Sequence, residues 1–292
     1  MRWTPGGESS DIEDRRDDSG GGGGGFGFGG IHLGIGGAIL VLILSVVFHR
    51  NLFMLLGGGG AGAGVPVTHV ARPANAASEP ATEKTEVELV SFVLDDVQHT
   101  WEKLLPAQAH VPYRHAKLVL FRNSIRSACG MAQSATGPFY CPADEKVYLD
   151  LGFYDELKNR FGAPGEFAQA YVLAHEIGHH VQKILGIEAR VRRREQLHPE
   201  ETNALSVRVE LQADCFAGVW GNTTEQRKII DETDISQGLN AAAAVGDDRL
   251  QKMATGHVSP ENFTHGTSAS RMKWFRAGLD SGDISACNTF AH

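Results

Sequence analysis

Residues 31–48 (IHLGIGGAILVLILSVVF) carry no Asp, Glu, Lys or Arg. As a helix rising 1.5 Å per residue they would run about 27 Å, close to one hydrocarbon core. His49 and Arg50 interrupt the run, and a weaker apolar stretch resumes over residues 52–56. Glycine-rich material flanks it on both sides: of the 35 glycines, 20 lie before residue 65. A buried core helix would rarely sit between two such tracts. A cleaved signal peptide would open with a short basic region, whereas here residues 1–30 are acidic and then glycine-rich. The expectation is an uncleaved single-span anchor over residues 31–56. Residues 1–30 have little to bury and are expected to be disordered. Their glycines are not followed by Lys-Ser or Lys-Thr, so a phosphate-binding loop is excluded. Residues 57–85, rich in Gly, Ala, Pro and Ser/Thr, are expected to be a linker.

Residues 86–292 remain for a folded domain, and mean hydropathy of -0.19 excludes a multi-span protein. A net charge of -8 and a pI near 5.9 argue against nucleic acid as a partner. Apolar residues at three-four spacing predict a helix over residues 87–105, ended by Pro106. KLVLF (117–121) and KVYLDL (146–151) read as strands, and residues 153–161 as a short helix. Residues 165–185 give a long helix stopped by Gly186, and residues 200–220 another closed by Gly221. Residues 226–231, 235–255 and 270–279 add further helices. The sum is an α+β architecture, mostly helical with a small sheet near its start.

The chemistry concentrates in AYVLAHEIGHHVQ. His175 and His179 stand at i and i+4, about 40° apart around a helix, so both imidazoles can address one ion. Glu176 lies about 100° from His175 and can sit beside the metal as a general base. A third ligand is still required. The metzincin pattern fails, because Gln182 and Leu185 stand where it needs glycine and histidine. Downstream, Glu210 and Asp214 are again i and i+4, beside Leu211, Ala213, Phe216 and Val219. Acidic groups in such a stretch need partners. Glu210 can complete a His₂Glu set with one open position, and Asp214 can accept the outer ring N–H of a ligating histidine. Zn²⁺ is the expected ion, one per chain, although His₂Glu accepts other divalent metals. His180 points away from His179 and is read as structural. His265 (in HGTS) is the leading candidate to stabilise a developing oxyanion, with His257 and Tyr148 as rivals. Arg271 is a candidate anchor for Glu210, Asp214 or a substrate carboxylate. The run RVRRR (190–194) reads as a solvated loop.

The motif pair resembles that of the gluzincin metallopeptidases, HExxH followed by ExxxD. More closely, the chain resembles the bacterial neutral zinc metallopeptidase family through GPFYCPAD (137–144), VYLDLGF (147–153), AHEIGHHVQ (174–182), ELQADCFAGVW (210–220) and THGTSASRMKWF (264–275). That resemblance implies a zincin-like domain, a cytoplasmic N-terminal tail, one membrane anchor and a catalytic domain outside the cytoplasm. It also suggests that the 146–151 strand lies at a sheet edge and pairs with extended substrate.

Four cysteines allow three connectivities. Cys129 with Cys141 would close a short loop, and Cys215 with Cys287 would tie the C-terminal tail to the second ligand helix. Four reduced thiols would instead place the domain in the cytosol. No CxxC pair exists, which argues against a Cys₄ zinc site. Three functions fit this sequence. The first is a membrane-anchored zinc endopeptidase acting on peptide or protein. The second is a non-catalytic zinc-stabilised scaffold of the cell envelope. The third is a metal-dependent amidase acting on cell-wall peptides.

Overall fold

A computed structural model describes residues 1–18, 81–134 and 137–291. The expected anchor, residues 31–56, and most of the linker lie outside these residues. No helix among the described residues is long and apolar enough to cross a membrane.

The architecture is α+β. Strand β1 (Ile12–Asp14) precedes helix α1 (Ala81–Ala109). Strands β2 (Lys117–Phe121), β3 (Ser124–Ser127), β4 (Gly130–Gln133), β5 (Phe139–Cys141) and β6 (Lys146–Asp150) follow. The rest is helical: α2 (Gly152–Asn159), α3 (Glu166–Ile184), α4 (Ile187–Leu197), α5 (Thr202–Gln226), α6 (Glu232–Ala244), α7 (Asp247–Thr255) and α8 (Ser268–Ser281). The main sheet has the order β1-β2-β6-β5. Strands β1, β2 and β6 run parallel, and β5 is antiparallel to β6.

Alternation along the strands sorts the core. Leu118, Leu120, Val147 and Leu149 pack with the helices, together with Val97, Trp101, Phe167 and Trp220. Val119, Phe121 and Tyr148 face the other way, under the β3–β4 hairpin residues Ile125 and Ala132. A period of two puts successive side chains on opposite faces, so both sides of this short sheet are covered.

Several expectations need correction. Residues 1–18 are not a loose tail, since β1 pairs with β2 in register Ile12↔Leu118, Glu13↔Val119 and Asp14↔Leu120. Two of the acidic side chains that suggested disorder, Asp11 and Glu13, have partners far along the chain. Strand β6 is not an edge, because β2 and β5 flank it, and β5 forms that edge. Pro106 does not end α1, which continues to Ala109. Its missing N–H costs only one bond in the last turn. Gly221 does not close α5. Cβ atoms at Gly218 and Gly278 would collide with the facing helix's backbone, and one at Gly221 would press on Leu279. These glycines let α5 and α8 touch, and α5 runs on to Gln226. The helix expected over 226–231 is absent: beyond Gln226 residues 227–231 form a turn, with Lys228 in the left-handed region. The helix expected over 235–255 breaks at Val245 and Gly246, where a Cβ would strike Ser268. The arginine run lies on α4, with Val191 buried and the arginines exposed. It is a solvated helix face, where a loop was expected.

Candidate metal centre

Helix α3 carries His175, Glu176 and His179, and α5 carries Glu210 and Asp214. Gly178 lies between the two histidines. A Cβ there would sit 3.0 Å from the Ala213 carbonyl oxygen and 3.2 Å from its Cα. Glycine at 178 thus allows α5 to approach closely, which brings its carboxylates within reach of the imidazoles. Gly186, in the left-handed conformation at φ 67°, ends this stretch and turns the chain into α4.

One ligand atom from each of His175, His179 and Glu210 lies within 4.8 Å of the others. His175 Nε2 is 3.2 Å from Glu210 Oε2, and His179 Nε2 is 3.5 Å from Glu210 Oε1. The two imidazole rings are nearly perpendicular. Both outer nitrogens are engaged. His175 Nδ1 is 2.9 Å from Asp214 Oδ1, and His179 Nδ1 is 2.9 Å from Gln182 Oε1. A carboxylate and an amide oxygen only accept, so each Nδ1 is assigned the proton. Both Nε2 atoms then turn toward Glu210. Gln182 is itself held, since its Nε2 donates to the Val209 carbonyl and to Gln212 Oε1.

Asp214 is fully buried and collects donors from two helices, α3 and α8. Arg271 on α8 donates from Nε to Oδ2 at 2.8 Å and from a terminal nitrogen to Oδ1 at 2.9 Å. Tyr171 donates its hydroxyl to Oδ1 at 2.5 Å. Arg271 is thus committed to Asp214, with further bonds to the Tyr171 hydroxyl and the Val245 carbonyl. Burial pushes the Asp214 carboxyl up, but the Arg271 charge and the His175 bond outweigh it and hold it below its ordinary value. Burial likewise raises the Glu210 carboxyl. The charges of His179 and His265 and the bond from His175 bring it well below the usual range. Burial depresses His175, while Asp214 and Glu210 raise it to about 10. The carboxylates thus attract positive charge between the two helices, whether carried by a proton or by a metal ion.

His265 approaches the same cluster, close enough for its charge to act on Glu210. Its Nδ1 is 3.2 Å from Asp247 Oδ1 and 2.9 Å from Thr264 Oγ1. Asp247 Oδ2 also accepts the backbone N–H groups of Thr264, His265 and Gly266, so this loop is tightly framed. Of the rivals, His257 is exposed. Tyr148 belongs to the opposite face of the sheet, stacked on Phe139, and donates its hydroxyl to Asp144. His180 is buried and bridges the Arg114 carbonyl and the Tyr140 hydroxyl.

Three contributors were missed in the sequence. Tyr171 precedes His175 by one helical turn, and Gln182 follows His179 by three residues, so helical spacing could have found both. Asp247 lies on another helix, and no local pattern announces it. The structure joins Cys129 to Cys141 and Cys215 to Cys287. Gln212, two hydrogen bonds from His179 by way of Gln182, donates to the Cys287 carbonyl.

Comparison with known proteins gives one family. The model of the family described as "Putative neutral zinc metallopeptidase" matches residues 1–290. Protein YpfJ of Escherichia coli (strain K12), described as uncharacterized, is 46% identical over 293 residues, covering 99% of each chain. Protein Rv2575 of Mycobacterium tuberculosis, described in the same way, is 42% identical over 208 residues, covering 68% of each. No solved structure matches the chain.

Proposed function

The chain belongs to the putative neutral zinc metallopeptidase family, and from that premise we propose that it hydrolyses peptide bonds with zinc held by His175, His179 and Glu210. The observation that carries this reading is the convergence of two imidazole Nε2 atoms on one carboxylate, with both Nδ1 atoms already occupied. That donor set fits zinc: two neutral imidazoles, one carboxylate and outer partners that fix each ring. Zinc bound there supplies Lewis acidity toward a carbonyl and lowers the pKa of water.

Every other role falls to side chains. Glu176 takes the proton of the attacking water and passes it to the leaving amine. Asp214, pinned by Arg271 and Tyr171, orients His175, and Gln182 orients His179. His265, framed by Asp247, supports the oxyanion from its Nε2 side. Edge strand β5 is the one beside α3. An extended substrate would add to it by main-chain pairing. The two disulfides support a domain that works outside the cytoplasm.

The test uses the zinc-loaded full chain and a mixed-peptide library, with products read by mass spectrometry. Glu176→Gln should lower turnover about 10²–10⁴-fold, the usual worth of a general base. Its zinc content should be unchanged. Normal cleavage by that variant would sink the mechanism. A fully zinc-loaded native chain that cleaves nothing would point to the scaffold reading.

A further inference from the structure

The N-terminal residues and the metal-binding body contact each other through a continuous surface. Strand β1 adds to β2 by backbone bonds: Leu118 donates to the Asp11 carbonyl and Arg15 to the Leu120 carbonyl, each at 2.8 Å. Without β1, the buried strand KLVLF would be an open sheet edge. The Asp11 side chain is buried and accepts from Gln98 Nε2 at 2.8 Å, Lys117 Nζ at 2.7 Å and His115 Nδ1 at 2.5 Å. Ser9 donates to Asp95 at 2.5 Å, and Lys146 Nζ reaches Glu13 at 2.7 Å. Trp3 packs on Phe92, and the Arg2 amide donates to the Ile229 carbonyl. These partners come from α1, β2, β6 and the turn after α5, so the contact is spread over the body.

The point of departure and the point of return also coincide. Arg16, just before the chain leaves the described region, lies 2.9 Å from Glu83, just after it returns. Arg122 at the end of β2 pairs with the same Glu83. Asp14 holds the Arg16 guanidinium in place.

We infer that residues 1–18 and residues 81–291 share one compartment, on the same side of any membrane the protein meets. A strand cannot pair with a sheet through a bilayer. The single crossing suggested by residues 31–48, with a cytoplasmic tail and an extracytoplasmic domain, would separate groups that lie within 3 Å of each other. The match to the family model begins at residue 1, and YpfJ aligns over 99% of both chains, so this segment belongs to the part shared with YpfJ. The inference does not depend on peptidase activity.

Sided labelling tests it on the full chain in its native cells. Four exposed positions each receive one cysteine: Ser10→Cys and Asp17→Cys in the N-terminal segment, Leu197→Cys and Met253→Cys in the body. The native cysteines are all paired and do not compete for a thiol reagent. A membrane-impermeant maleimide is applied to intact spheroplasts and, separately, after lysis. The expected result is that all four positions behave alike, with an intact-to-lysed labelling ratio that agrees between segment and body within about twofold. Labelling of positions 10 and 17 from one side and of 197 and 253 from the other would overturn it. Two positions in each region guard against one substitution misfolding the chain.

Discussion

Two buried aspartates organise two ends of this molecule. Asp214 sits on α5, a 25-residue helix, and Asp11 sits just before β1, a strand of three residues. Each collects donors from elements distant in sequence: Arg271, Tyr171 and His175 for Asp214, and Gln98, His115 and Lys117 for Asp11. A buried carboxylate is stable only with such partners. The two differ in what the donors do next. Those around Asp214 include a candidate metal ligand, so its environment is transmitted to the site. Those around Asp11, the buried Gln98 and the partly exposed His115 and Lys117, fasten one segment to another. The same local chemistry therefore orients a reactive group in one region and closes a sheet in the other.

The comparison breaks first at Asp214. Asp214→Ala leaves the Arg271 guanidinium buried and unpaired, and should cost about 3–5 kcal/mol of stability along with most zinc binding. Urea unfolding and metal titration measure both. An Arg271→Met, Asp214→Leu double variant that recovers stability while zinc remains weak would separate packing from orientation.

Gln182→Ala should leave the fold intact and weaken zinc about 10–100-fold, the usual cost of removing a partner of a ligating histidine. Unchanged zinc affinity would mean that His179 needs no such support.

Asp11→Ala should cost about 1–3 kcal/mol, because buried Gln98 loses an acceptor while Lys117 and His115 turn to water. Its zinc affinity should match the native chain. If Asp11→Ala loosened zinc as much as Gln182→Ala, the two regions would not be independent.

The smallest effect is the pH dependence of the N-terminal contact. Burial pushes the Asp11 carboxyl up, and bonds from Lys117 and His115 more than reverse this, leaving it below its ordinary value. Its contribution is present above the unfolded carboxyl pKa and is lost as pH falls through the lowered one. Burial pushes His115 down, and bonds to Asp11 and Glu102 raise it above its ordinary value. That contribution is present below the unfolded imidazole pKa and fades as pH rises through the raised one. Amide exchange at Leu118 should therefore be slowest, after correction for its intrinsic pH dependence, between these two limits. In Asp11→Asn the profile should flatten, and an unaltered profile would remove the pair from the account.

The site was far more legible than the frame around it. His175, Glu176 and His179, and then Glu210 and Asp214, are readable because a helix repeats every 3.6 residues. A spacing of four therefore means one face. The α+β character followed from the same periodicity. Helix ends were harder. Gly221 carries the sequence mark of a helix stop but serves a close crossing of α5 over α8, and only the facing helix distinguishes these uses. The edge position of β6 was expected from the resemblance alone, since neighbours in a sheet are invisible from within one strand.

Sequence by itself offered the chemistry: which residues can hold a metal, which acid is expected beside it, and that four cysteines suffice for two disulfides. The tertiary structure decided the company those residues keep. It gave Arg271 to Asp214, Gln182 to His179 and Asp247 to His265. It also turned an acidic, unpromising start of the chain into part of the sheet. The reason is range. Periodicity records contacts a few residues apart along one element. The partners of Asp11, 87, 104 and 106 residues away, leave no local pattern and are found only once the chain is folded.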